Sequence, residues 1–245
     1  TRDARRLRPE RLIVTQPGDL RVLRMLEHAA EDLEVELEIR EDRHFLVTPD
    51  AFRDWADGKK HLVMEHFYRA QRRRTGILMD ADGKPEGGQW NFDKDNRETF
   101  GRHGPGELPA PRRFRPDDVT REVLDIVAAR FADHPGSLEN FDLPVTHDEA
   151  LAALRDFVSR RLPRFGAYED AMWSSEPTLY HSRLSAPMNL KLLDPKLCLD
   201  KVVAAYRKGA APINSVCMLL EYAGDPATGG YHALVEVDGS DERLE

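Results

Sequence analysis

The sequence predicts a mixed α/β unit followed by an all-α unit. Three observations carry this reading. An apolar strand, an amphipathic helix and an alternating strand follow one another before residue 41; a Gly- and Pro-rich stretch with little apolar periodicity occupies residues 80–115; and helical spacing dominates from residue 116 onward.

Taken in order, a basic stretch (Arg2, Arg5, Arg6, Arg8) runs straight into the strand-like segment 11–15, and the first residue is Thr1, so the chain is expected to begin inside a larger domain. Pro17-Gly18 makes a turn, and Asp19 caps a helix to about Leu33 with Val22, Leu23, Leu26, Ala29, Ala30 and Leu33 at helical spacing. Val35, Leu37 and Ile39 alternate with charged residues, the period of a half-exposed strand, which completes a β-α-β unit. Two parallel strands joined by one helix cannot cover both faces of a sheet, so further strands are expected. Thr48-Pro49-Asp50 opens a helix carrying Phe52 and Trp55, and a second helix is predicted over 62–75. After the irregular stretch, helices are predicted over 118–131, 146–162 and 195–208, and a strand-like run over 231–237.

With 245 residues, 40% apolar and 33% charged, the chain can bury one sizeable core or two modest ones. No run approaches the length of a membrane span and no basic-then-apolar leader is visible, so a soluble, cytoplasmic protein without membrane association is expected. Two cysteines, Cys198 and Cys217, exclude a disulfide framework or a four-cysteine metal site. The formal charge of -8 at first argues against a nucleic-acid partner, but it is unevenly spread: +1 over residues 1–115, -3 over 116–216 and -6 over 217–245. The average is dominated by the tail, and DNA stays compatible with the rest.

Several groupings could carry chemistry. Arg69, Arg72 and Arg73 stand at i, i+3 and i+4 on one helix face and would attract a phosphate backbone, although cations near a helix C-terminus are commonly structural. Residues 84–92 (Lys-Pro-Glu-Gly-Gly-Gln-Trp-Asn-Phe) lack the spacing of a nucleotide phosphate loop, and a structural anchor through Trp90 is the better reading. In Tyr180-His181-Ser182-Arg183-Leu184-Ser185, hydroxyls, amides and a following helix start are the ingredients of a diphosphate site; taken alone they are better read as a helix cap. No His-Glu-x-x-His and no Gly-x-Ser-x-Gly is present.

Three segments together, Met64–Arg69 with Arg72–Met79, Lys84–Asp93, and Phe165–Ser185, resemble the bacterial cryptochrome and photolyase-related family, in its branch of iron–sulfur (6-4) photolyases. They stand in the family's order, with Val14–Gly18 upstream and Ala211–Val216 downstream. The resemblance implies the C-terminal half of a Rossmann-like antenna domain (residues 1–79), an interdomain linker (80–115), the beginning of a helical FAD-binding domain (116–216) and a divergent acidic tail (217–245). It implies FAD held in part by Tyr168, His181, Ser182, Leu184 and Ser185, with His181 standing where relatives often have Thr, and damaged DNA approached by Arg69, Arg72 and Arg73. The family's ribityl-lumazine antenna and 4Fe-4S cluster would lack most or all of their ligands here, since Cys198 and Cys217 match none of the cluster cysteines.

The implied activity is light-driven electron transfer from reduced FAD to a pyrimidine (6-4) lesion flipped out of DNA, a chemistry in which the protein supplies placement and electrostatics. The chain is read as an internal fragment, a monomer, inactive on its own. The alternatives are a cryptochrome-like blue-light photoreceptor and a non-catalytic remnant that binds DNA or a protein.

Overall fold

The computed structural model describes residues 2–224. The described residues up to Lys84, with those from Leu220, form one compact unit; Pro85–Leu219 form a second. The architecture is mostly helical with one two-stranded parallel sheet, compatible with an α/β plus helical layout. The strand expected over 231–237 lies outside the described residues.

In the first unit a short helix α1 (Arg2–Leu7) that buries no residue precedes strand β1 (Arg11–Thr15). Helix α2 (Leu20–Leu33) starts where the Asp19 carboxylate accepts the Arg21 N–H, and ends at Glu34 in the left-handed region. The chain then enters β2 (Glu36–Arg40), which pairs with β1 in parallel, Arg11 opposite Glu36 and Val14 opposite Ile39. Helix α3 (Pro49–Ala56) is capped by Thr48, and α4 (Met64–Thr75) stops at Gly76, whose φ of 68° suits a glycine. Phe52, Trp55 and Phe67 join α3 to α4 as an aromatic cluster with centroids 4.8–5.8 Å apart.

The second unit opens with the irregular stretch, which holds two 3-10 turns (Glu86–Gly88 and Asp93–Asn96). Its anchor is Phe92, 8% exposed, rather than the half-buried Trp90. Gly87 sits at φ 76° with its absent Cβ aimed 2.9 Å from the Phe92 ring, so only glycine lets the ring close there. Helix α5 (Asp118–Arg130) buries no residue, whereas α6 (His147–Arg160) begins with a reciprocal Thr146/Glu149 capping box and turns Ala150, Leu154 and Phe157 inward. The one-turn helices α7 (Leu162–Phe165) and α8 (Ser185–Asn189), then α9 (Pro195–Arg207) and α10 (Ile213–Gly224), complete the order.

Leu154, Phe157, Leu162, Leu184, Leu193, Leu199 and Val202, each at most 1% exposed, form the core of this unit. Burial of each such side chain contributes roughly 1.5–3 kcal/mol. Gly166 lies so close to the start of α10 that a Cβ would stand 2.7 Å from the Ser215 nitrogen, and the Gly166 N–H donates to the Ser215 hydroxyl at 2.9 Å.

Candidate functional site

Residues 178–185 form a loop held by one arginine contact to its backbone and two through its side chains. Leu179 and Arg183 both adopt positive φ, 46° and 58°, an arrangement that a non-glycine chain keeps only when its surroundings impose it. Those surroundings are arginines. Arg161 donates to the His181 carbonyl at 3.2 Å, Arg164 donates to the Tyr180 hydroxyl at 3.2 Å, and Arg183 itself reaches the Asp142 carboxylate at 2.5 Å. Leu184, fully buried, plugs the end of the loop into the core, and α8 begins at the next residue.

Arg161 is itself 2% exposed and needs a counter-charge. Asp156, 12% exposed, supplies it at 2.8 Å while also accepting the Arg112 N–H at 3.2 Å. Burial pushes the Asp156 carboxyl up, but the Arg161 hydrogen bond and charge, the Arg112 amide and Arg160 outweigh it and hold the group below its ordinary value. Burial pushes Arg161 down against the opposing pull of Asp156, and a guanidinium stays charged in either case. The hydrogen bond to Tyr180 raises Arg164. The loop is therefore embedded in positive charge, with Asp142 and Asp156 as its local balance.

The residues singled out from sequence fall into two groups. Tyr168, His181, Ser182, Leu184 and Ser185 all lie in the second unit. Tyr168 stacks flat on Phe100 at 4.7 Å and leans on Tyr180 at 5.4 Å, which places it beside the loop. His181 and Ser182 are half-buried and Ser185 is exposed; the Ser182 hydroxyl accepts the Leu184 N–H at 3.3 Å, so part of the cap reading is realised. Leu184, fully buried, presents no surface of its own to a neighbouring molecule.

Arg69, Arg72 and Arg73 lie on α4 in the first unit and do not share one environment. Arg69 pairs with Glu65 at 2.7 Å, and Arg73 is exposed. Arg72 is fully buried, donating to the Leu78 carbonyl at 2.5 Å with its guanidinium 5.7 Å from the Tyr68 ring. The spacing argument treated the three as one face, but the face that carries Phe67, Tyr68 and Gln71 inward also carries Arg72.

The arginines that shape the loop were not singled out from sequence. One signal was available: Arg161 continues the spacing of Ala150, Leu154 and Phe157, so it occupies a position on the buried stripe of α6. Both cysteines are buried, and burial followed by the Asp194 charge pushes the Cys198 thiol up to about 12. Such a thiol is a poor metal ligand, and the pair does not fit an iron–sulfur cluster. Among the described residues no three His, Cys, Asp or Glu come together as a metal-binding group, and no helix is long and apolar enough to cross a membrane.

Residues 1–143 match the family described as deoxyribodipyrimidine photo-lyase-related protein. A (6-4) photolyase of Agrobacterium fabrum (strain C58 / ATCC 33970) is 42% identical over 212 residues, 86% of this chain. The chain spans 41% of that relative's length.

Proposed function

The chain belongs to the deoxyribodipyrimidine photo-lyase-related protein family, and from that premise we propose that it is part of a flavin-dependent DNA photolyase acting on pyrimidine (6-4) lesions. The observation that carries this reading is the arginine-held loop 178–185, with the Ser182 and Ser185 hydroxyls and the Tyr168 ring beside it. Two hydroxyls on a loop whose shape is fixed by Arg161, Arg164 and Arg183 fit the diphosphate and ribityl end of FAD, the arginines acting through the loop rather than on the phosphates. When bound, FAD supplies the photoexcited electron that opens the lesion. The chain's own residues supply placement: Ser182 and Ser185 donate toward phosphate oxygens, Leu184 anchors the loop in the core, and Tyr168 and His181 border the chain between phosphate and ring.

On the DNA side, Arg69 and Arg73 are the members of the α4 cluster within reach of solvent and would meet phosphates, whereas Arg72 is buried and bonded to the Leu78 carbonyl. The 245-residue chain by itself is expected to hold FAD weakly and not to repair DNA, because Ser185 is exposed and α8 is a single turn, which leaves the phosphate side open.

Flavin titration of the purified chain tests the site. Ser182→Ala with Ser185→Ala should weaken FAD binding about tenfold, at roughly 0.5–1.5 kcal/mol for each hydrogen bond. Unchanged affinity would remove the loop from the site. Stoichiometric FAD retained through gel filtration would overturn the expectation of weak binding, and light-dependent (6-4) repair by the chain alone would overturn its inactivity.

A further inference from the structure

A second concavity lies wholly within the second unit, between α6 and α9, and shares no residue with the loop just described. It is a trough of about 620 Å³, within the size range of small-molecule sites. Its floor follows from the two sequences. Along α6, Leu151, Leu154 and Val158 recur at helical spacing; across from them α9 presents Leu197 and then Ala204 and Ala205. The alanines are too small to fill the space, and a gap stays open between the helices.

The rim has one sign of charge. His147, Arg155, Lys201 and Lys208 line the trough, and no acidic residue does. The contrast with their neighbours is informative. Lys196 on α9 pairs with Asp200 at 2.8 Å, and Arg160 and Arg161 share Asp156. Among the described residues, no carboxylate pairs with Arg155, Lys201 or Lys208. The His147 ring is fixed at the mouth by its bond to the Leu192 carbonyl at 2.9 Å.

We propose that this trough binds an amphipathic anion: an apolar chain lying on the leucine and alanine floor, with a carboxylate held by Lys201, Lys208 and Arg155. An apolar floor alone would accept any greasy body. Cations without acidic partners around an apolar floor select one that ends in negative charge, because the charge–charge attraction adds to burial only for that class.

The probe is dodecanoate, titrated calorimetrically into the 245-residue protein at low salt, with dodecanol and dodecyltrimethylammonium as the neutral and cationic controls. The expected result is saturable binding at one site per chain, absent for the cationic control and weaker for dodecanol. Lys201→Glu with Lys208→Glu, both exposed and so compatible with folding, should weaken dodecanoate binding by about tenfold or more. Ala204→Phe should block it by filling the floor, with an unchanged circular dichroism spectrum as the folding control. Absence of saturable binding, equal binding of dodecanol, or a charge-reversed double variant within about twofold of the parent would overturn the proposal. So would a glutamate-rich amphipathic peptide that binds this face and is not displaced by dodecanoate, since the face would then be a protein-docking surface.

Discussion

Asp156 is the residue whose removal should be felt most widely. Its carboxylate is 12% exposed and neutralises Arg161, 2% exposed, at 2.8 Å; it also accepts from the Arg112 backbone and lies 3.4 Å from Arg160. Both partners are far below one-third exposure, so solvent screening is weak. Asp156→Ala leaves a buried guanidinium without a counter-charge, a change that costs about 3–5 kcal/mol in comparable pairs. Asp156→Asn keeps the shape and an acceptor, and should cost about 2 kcal/mol. Arg161→Met removes the buried charge itself but orphans the His181 carbonyl, about 1–3 kcal/mol. In the Asp156→Asn/Arg161→Met double variant the two costs should fall short of their sum, since neither residue leaves the other stranded. Urea unfolding at neutral pH measures each value, and hydrogen exchange of α6 locates the loss. The pH dependence has a definite sign. The folded-state carboxyl lies below its ordinary value of 3.8, so its contribution is present above that pH and is lost as pH falls through the folded value. An Asp156→Ala protein within about 0.5 kcal/mol of the parent would show that the pair is not what holds loop 178–185.

Other outcomes follow from single contacts. Gly166→Ala should destabilise the second unit by about 1–3 kcal/mol, read as a lowered Tm, because the added Cβ meets backbone atoms of Asn214 and Ser215 at 2.7–2.9 Å. The Asp19 carboxyl is held at about 2 by its bonds to Arg21, against an ordinary value of 3.8. Its capping of α2 should therefore persist above pH 3.8 and fade as pH falls toward 2, a loss of helical ellipticity that Asp19→Ala would not show. Cys198, fully buried and pushed up to about 12, should resist a thiol reagent at mildly alkaline pH until urea unfolds the protein; fast labelling of the native state would contradict its burial.

The helices whose ends were legible in the sequence are those with polar caps. Asp19, Thr48, Asp117, Thr146 and Asp194 each accept a backbone N–H from the first turn, and each expected start agrees with the structure within a residue. Helix α4 starts two residues after its expected start; Val63 precedes it without a side-chain cap, and the exposed Leu62 and Val63 extended the apolar pattern beyond the helix. Helix α1 escaped notice because it buries nothing and so has no apolar period; its side chains offer a solvated Asp3–Arg6 pair instead. The four-residue α7 is too short to show a period, and its proline stands in the first turn, where it is tolerated.

For the site, what was local in sequence could be read and what was distant could not. A hydroxyl three residues before a helix start is visible in Ser182, but the bonds that shape the loop join Arg161 to His181, Arg164 to Tyr180 and Arg183 to Asp142. Residue type was also a poor guide to place. Among the described residues Arg72 and Arg161 are the two largest side chains that are fully buried, and both sit on inward-facing positions of their helices beside buried aromatic groups. An arginine costs more to bury than a leucine, so it occupies such a position where fixed acceptors meet its guanidinium. Arg72 finds the Leu78 carbonyl just past the end of its own helix; Arg161 finds Asp156 and, across the core, the His181 carbonyl. A charged residue that breaks an apolar stripe at i, i+4, i+7 and i+11 is thus a pointer to a distant carbonyl it must satisfy. In this chain the stripe of α6 points through Arg161 to the loop that carries Ser182 and Ser185, so the search for a binding loop could have started from the one arginine that does not belong on its stripe.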